Sequence, residues 1–434
     1  MADINSPNIV IMVLDTLRKD YYEKYLSQTL QKFGFVYYPN AIAPSPWTIP
    51  SHASIVTGLY PALHGAHETP EKKDTEIKLH KHELSFINNL SEKGYQNFLL
   101  SSNIYVSPYF GFWGFNKFID TSIPRVLSED DVKLFSSIIY RTNRRLLPTL
   151  KAILKEKEPK LLLKMIVGYG LRHLQWPKDK GATNTVHHLE ELLILNTKKA
   201  PLFIMMNLLE VHEPYARFEN VSELRESNRK GHPPSEKVIK RWQHKYPKQV
   251  KYLKNKLVDI IKLLKDFEIF ENSIIIVTSD HGQMLGEYGV IGHGTYLYDE
   301  LLRVPLAIKY PENKKVVITE QRNTNYISLT KIKPLILQTV YSTTIDDSIL
   351  YSPIVFAESY GIPERIRPMS KEEQEYVNSL EKYKIAVYSN GKKAVFNVAD
   401  WKFEEYQQDN SQIKKAIIRF LKTATVTKVP KMKL

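Results

Sequence analysis

The chain has 434 residues, 43% apolar and 25% charged, which is the make-up of a globular protein with a sizeable core and not of a disordered or fibrous chain. It carries a net charge of +14 and no cysteine, so a disulfide framework is excluded. No apolar run approaches the roughly 18 residues that a bilayer span needs, and no basic-then-apolar leader opens the chain, which points to a cytoplasmic location.

In chain order, the first predicted element is the run Asn8-Ile9-Val10-Ile11-Met12-Val13-Leu14, apolar without alternation as in a parallel strand buried on both faces, and it stops at Asp15. The run Pro46-Trp47-Thr48-Ile49-Pro50-Ser51-His52 then reads as a helix start. Pro50 fixes φ in the first turn, Thr48 or Ser51 caps it, and the unpaired N–H groups there face an anion. Taken alone, such a threonine is an ordinary cap; its neighbours in the fold make Thr48 a candidate nucleophile. A strand over 97–100 ends at Asn103, and the aromatic run around Tyr105, Tyr109, Phe110, Phe112 and Trp113 follows.

Residues 122–180 interrupt the α/β pattern with helical periodicity over 132–140 and 161–167, and carry 13 Lys or Arg against 6 Asp or Glu. This basic helical insertion fits three roles: a solvated excursion, a lid over a site, or a surface that meets an anionic membrane or a polyanionic substrate. No recognisable module accompanies the basic residues, so no specific nucleic-acid partner is expected. A helix over 183–196 follows, with His187 and His188 facing solvent, and then the apolar strand 202–208 and the segment Glu210-Val211-His212-Glu213-Pro214-Tyr215.

A long helix over 236–266 packs on the sheet through Leu253, Leu257, Ile260, Ile261 and Leu264, and leads into a strand over 274–277 that ends in Thr278-Ser279-Asp280-His281-Gly282. Ligands in open α/β sheets gather at the carboxyl ends of strands, so Asp15, Asp280 and His281 converge on one rim. Two carboxylates, an imidazole and the Thr48 oxygen suit a divalent cation, Mn or Zn before Mg or Ca. Beyond about residue 311, the run 385–396 reads as two strands around an Asn390-Gly391 hairpin, followed by an amphipathic helix over 413–421.

Asp15, the Thr48-Ile49-Pro50-Ser51-His52 box, Ser54-Ile55-Val56-Thr57-Gly58 with His64-Gly65, Ser279-Asp280-His281-Gly282, and Glu300 to Leu306 together resemble the sulfatase-like branch of the alkaline phosphatase superfamily. The resemblance implies an α/β fold with an alkaline-phosphatase-like, mixed but mostly parallel sheet sandwiched by helices. It implies a catalytic domain over 1–121 and 181–345, the insertion over 122–180, and a small antiparallel C-terminal subdomain over 346–434. It also implies a metal set of Asp15, Thr48, Asp280 and His281, with one or two ions per chain, and ester-binding roles for His212, for His293 in Gly292-His293-Gly294, and for Asn103, which stands where sulfatases usually carry Lys. For His52 it leaves a minor role, orienting a neighbour or protonating a leaving group.

Three departures from the sulfatase pattern shape the expected chemistry. Formylglycine, which sulfatases make from Cys or Ser, cannot arise from Thr48; a second acid is missing where Thr16 follows Asp15; and His52 replaces an Arg. The expectation is a metal-dependent hydrolase that cleaves small phosphate or phosphonate esters through a phosphothreonine. The alternatives are a sulfuric ester hydrolase without formylglycine, a phosphoryl transferase, and a non-catalytic anion binder. Oligomeric state is not legible.

Overall fold

The computed structural model describes residues 6–80, 84–122, 131, 134, 137–138, 142, 146–155, 159–176, 178–196, 200–217, 219–320, 325–405 and 411–423. Its centre is a seven-stranded sheet formed by β1 (Asn8–Leu14), β2 (Val36–Tyr37), β3 (Gln96–Ser101), β4 (Lys117–Asp120), β5 (Leu202–Leu208), β6 (Ser273–Thr278) and β7 (Leu306–Lys309) in the order β2-β7-β6-β1-β5-β3-β4. The five strands from β6 to β4 are parallel, and β7 and β2 close one edge with antiparallel pairings.

Both faces of the sheet are covered, which is why its central strands carry no polar alternation. From β1, Ile9, Ile11 and Val13 pack on one side with Ile49, Ala53 and Val56 of helix Thr48–Thr57 and Leu335 of helix Ile332–Tyr341. Val10, Met12 and Leu14 pack on the other with Leu189 of helix Ala182–Asn196 and with Leu253, Leu257 and Ile261 of helix Glu236–Asp266. Each such fully buried side chain contributes about 1.5–3 kcal/mol. The layers thus fix the carboxyl ends of β1, β3, β5 and β6 as one rigid rim.

The Asn390-Gly391 hairpin is present between strands Lys384–Ser389 and Lys392–Asn397, with positive φ at both turn residues (49° and 76°), as a two-residue primed turn requires. These strands and two more form a four-stranded antiparallel sheet. Helix Ser411–Thr423 covers one face through Ile417 and Phe420, and the other face packs against Ile42, Leu302 and Tyr326.

In the basic segment, helices Leu146–Lys155 and Pro159–Gln175 are paired by a small apolar core of Ile138, Ile153 and Leu161. The expected helix over 132–140 lies largely outside the described residues; Leu134, Ser137 and Ile138 within it are helical. His187 is half exposed and His188 largely covered, both beside Glu191. Among the described residues no helix is long and apolar enough to cross a membrane.

Candidate active site

Asp15 follows β1 directly, its N–H bonded to the Leu208 carbonyl at 2.9 Å. Thr16 takes a left-handed φ of 63°, costly for a β-branched residue, and is held by three bonds that explain its persistence. Its N–H donates to Asp280 Oδ1 at 3.2 Å, its carbonyl accepts from the Tyr246 hydroxyl at 2.7 Å, and the next residue but one, Arg18, donates its N–H to the same tyrosine at 3.0 Å. The turn thereby aims Asp15 toward Asp280.

Asp280 and His281 follow β6, and all three side chains are fully buried with ligand atoms within 4.8 Å of one another. His281 Nδ1 donates to the Gly282 carbonyl at 2.9 Å, which leaves the Nε2 lone pair for the cluster, 3.2 Å from Asp280 Oδ2 and 3.3 Å from the Thr48 hydroxyl. Asp15 Oδ1 and Asp280 Oδ2 are buried without a hydrogen-bond partner. Burial and the charge of Asp280 raise the pKa of Asp15. For Asp280 burial works the same way and is the largest single influence, but His281, His52 and the Thr16 N–H together outweigh it and hold the carboxyl low. Burial opposes protonation of His281, and the two carboxylates nonetheless raise its pKa. Two crowded carboxylates with orphaned oxygens and an imidazole lone pair are a donor set that a divalent cation satisfies.

Thr48 is the first residue of its helix, after Trp47 in an extended conformation, and neither Thr48 nor Ser51 caps it. The expected cap is therefore corrected: the Ser51 hydroxyl donates to the Ser45 carbonyl at 2.8 Å, and the first-turn N–H groups have no side-chain partner. His52 is also corrected as a proton donor to a leaving group. It is fully buried, its Nδ1 donates to the Thr48 carbonyl at 3.0 Å, and its Nε2 accepts from Asn207 at 3.2 Å. Burial lowers its pKa, so it stands as a neutral spacer 3.5 Å from Asp280. Asn103 donates its amide to Asp15 Oδ2 at 2.8 Å while its oxygen accepts the Tyr105 N–H at 3.0 Å.

His212 and His293 do reach the same pocket. The three imidazoles form a row, His281 to His293 at 4.5 Å between centroids and His293 to His212 at 4.9 Å. His212 Nδ1 donates to the Glu213 carbonyl at 2.7 Å and His293 Nδ1 to Gln283 Oε1 at 2.8 Å. Burial, with the charge of Arg225, pushes both pKa values well down, so each ring is neutral with its lone pair on Nε2, and that of His293 accepts from Arg225. As hydrogen-bond donors to an ester they require a second proton.

Several residues here escaped sequence reasoning. Arg225 pairs with Glu213 and Glu364 and donates to His293 Nε2 at 3.3 Å. Gln283 ties Glu213, Tyr215 and His293 together. Asn207 donates to Asp15 Oδ2 at 3.2 Å as well as to His52. Asn207 carried a signal, a lone amide inside an apolar strand; Arg225 sits on an ordinary polar helix and carried none.

The sulfatase family model, described as Sulfatase, matches residues 7–341. The chain is 42% identical over 45 residues to "Uncharacterized sulfatase YidJ" of Escherichia coli (strain K12), a stretch that covers 10% of this chain and 9% of that relative. Among solved structures it resembles the phosphonate monoester hydrolase SpPMH from Silicibacter pomeroyi, with a TM-score of 0.62 at 15% identity over 98% of this chain and 97% of that one. It also resembles BT1596, a 2-O GAG sulfatase, with a TM-score of 0.59 at 12% identity over 96% and 90%. The fold is common to hydrolases of phosphorus and of sulfur esters, and metal dependence is typical of the family. A family match over residues 7–341, which spans Asp15, Thr48, His212, Asp280, His281 and His293, makes this chain a member of the sulfatase family.

Proposed function

We propose that the chain hydrolyses small phosphate or phosphonate esters in two displacements at phosphorus, with Thr48 as the nucleophile. The observation that carries this reading is a threonine hydroxyl 3.3 Å from His281 Nε2, beside carboxylate oxygens left unpaired, in a chain where residue 48 cannot become formylglycine. Asp15, Thr48, Asp280 and His281 would hold the cation, Mn or Zn before Mg or Ca. When bound it would stabilise the Thr48 alkoxide and polarise a non-bridging oxygen of the ester.

The Thr48 oxygen attacks phosphorus in line, the bond to the leaving alcohol breaks, and water then opens the phosphothreonine to return the hydroxyl and release the acid. The first-turn N–H groups of helix Thr48–Thr57 face the ester oxygens. His52, Asn103 and Asn207 keep Asp15 and Asp280 in register and touch no substrate. His212 and His293 take up a proton as the anionic ester binds, which their lowered pKa values make dependent on its charge.

A second reading of that pair rests on the grouping of His212, Glu213 and His293, whose ligand atoms lie within 4.8 Å of one another, with the two Nδ1 atoms 3.4 and 3.8 Å from Glu213 Oε2; a metal there would require each ring to give up its present Nδ1 hydrogen bond. Metal analysis separates the two, since His212→Ala lowers the content from two ions to one only under the second.

The test of the main proposal is an assay of aryl phosphate mono- and diesters, an aryl phosphonate and an aryl sulfate with added Mn, Zn, Mg or Ca. Phosphorus esters turn over, and Thr48→Ala lowers kcat by about 10³-fold or more, equivalent to about 4 kcal/mol, with an unchanged melting temperature. Turnover of the sulfate alone overturns the assignment.

A further inference from the structure

Helix Pro159–Gln175 is apolar on two sides. Leu161, Leu162 and Met165 pack into the core of the helical pair with Ile138 and Ile153. On the opposite side Leu163, Ile166, Val167, Leu171 and Leu174 recur at three- and four-residue spacing and are all exposed, Leu163 and Leu174 by 63% and 68%. Single exposed leucines are ordinary on a protein surface, but a continuous stripe of five marks something that covers it.

Charge identifies the covering partner. Helices Leu146–Lys155 and Pro159–Gln175 carry Lys151, Lys155, Lys160 and Lys164 and not one Asp or Glu, and of these four lysines Lys164 alone is ion-paired among the described residues, to Asp131 at 2.5 Å. A second copy of the chain would set this cationic surface against itself in a molecule of net charge +14. A nucleic acid offers nothing apolar to meet the stripe. An anionic bilayer offers both parts at once, acyl chains for the leucines and headgroup phosphates for the lysines of the same helical pair.

We propose that this helix docks flat on an anionic lipid surface, its apolar stripe in the headgroup–acyl boundary. The docked end is tied to the active site. Arg217 Nη2 donates to the Leu174 carbonyl at 3.0 Å, and Lys180, whose ammonium lies 5.8 Å from the Trp176 ring centre, donates to the carbonyls of Glu210, at 3.0 Å, and of His212. On the reading of the site given above, the ester served there is therefore presented at a lipid surface.

Cosedimentation of the full chain with phosphatidylglycerol and with phosphatidylcholine vesicles tests the docking without using the active site. Binding is expected to the anionic vesicles, to weaken as salt rises, and to fall roughly tenfold or more in Ile166→Glu with Leu174→Glu. The paired variant should keep its melting temperature and its turnover of a soluble aryl ester, and Ile166→Ser with Leu174→Ser should give a smaller loss of binding. Leu163→Trp should add a blue-shifted emission when vesicles are present. Thr48→Ala should bind as the parent does, so failure of the docking and failure of the nucleophile assignment are separable. Equal binding to both lipids, binding that survives the paired Glu variant, or retention on polyglutamate with none on phosphatidylglycerol would each overturn the proposal, the last by assigning the surface to an acidic protein.

Discussion

Asp15 shows how much of this site is support. Its Oδ2 is held by two amides, Asn103 at 2.8 Å and Asn207 at 3.2 Å, and Asn207 reaches His52 as well, so one side chain orients an acid and the imidazole that spaces Thr48 from Asp280. Asn207→Leu keeps the volume and removes both bonds. Loss of such an outer partner costs about 10–100-fold in metal affinity or activity, so titration of the apoprotein with Mn or Zn should show an affinity reduced by that factor. The hydroxyl of Thr48 is untouched by this variant, and saturating metal should restore most of the turnover.

At the scale of elements, the site depends on the loop after β6 as much as on its two ligands. A Cβ at Gly282 would lie 1.9 Å from the Glu300 carbonyl oxygen, and the Gly282 N–H donates to the Leu301 carbonyl at 2.8 Å, so the backbone beside His281 is clamped to helix Asp299–Leu302 itself. Gly282→Ala should cost about 1–3 kcal/mol in denaturant unfolding and lower metal affinity together with it, whereas a remote overpacking variant would lower only the first. Elements of this kind were partly legible. Strands β1, β5 and β6 announced themselves because burial on both faces removes any need for polar residues, and Asn390-Gly391 announced the hairpin because few other residues accept two positive φ values. Asp15, Asp280 and His281 followed from where those strands end. Arg225 and Gln283 did not, because their partners lie 68, 70 and 10 residues away on other loops and nothing local marks them. The helix cap failed because hydrogen bonding of Ser51 to Ser45 is decided by the fold and not by the residue type.

At the scale of the molecule, the C-terminal sheet is joined to the rest of the chain partly through a buried acid. The Glu358 carboxylate accepts from the hydroxyls of Tyr360 at 2.6 Å and Tyr383 at 3.0 Å and from the Ala62 N–H at 3.1 Å, and its own N–H donates to the Pro44 carbonyl. Burial raises its pKa from 4.5 to about 7, reinforced by the charge of Glu68. The folded chain therefore holds a proton that the unfolded chain has released, and stability falls as pH rises from about 4.5 to about 7. The loss amounts to about 3 kcal/mol for this group. Melting curves across that window should show the slope, and Glu358→Gln should flatten it.

Lys180 gives the basic segment a second meaning. Because its ammonium grips the peptide oxygen of His212 from wholly inside the protein, the last residue of the apparent insert is already a support of the candidate site. Excising the hairpin up to and including that lysine would release one of the pocket's imidazoles from its anchor, while a graft that stops short of Asp179 would leave the grip in place. The seam at which this fold accepts foreign sequence thus lies a few residues earlier than the change in composition suggests.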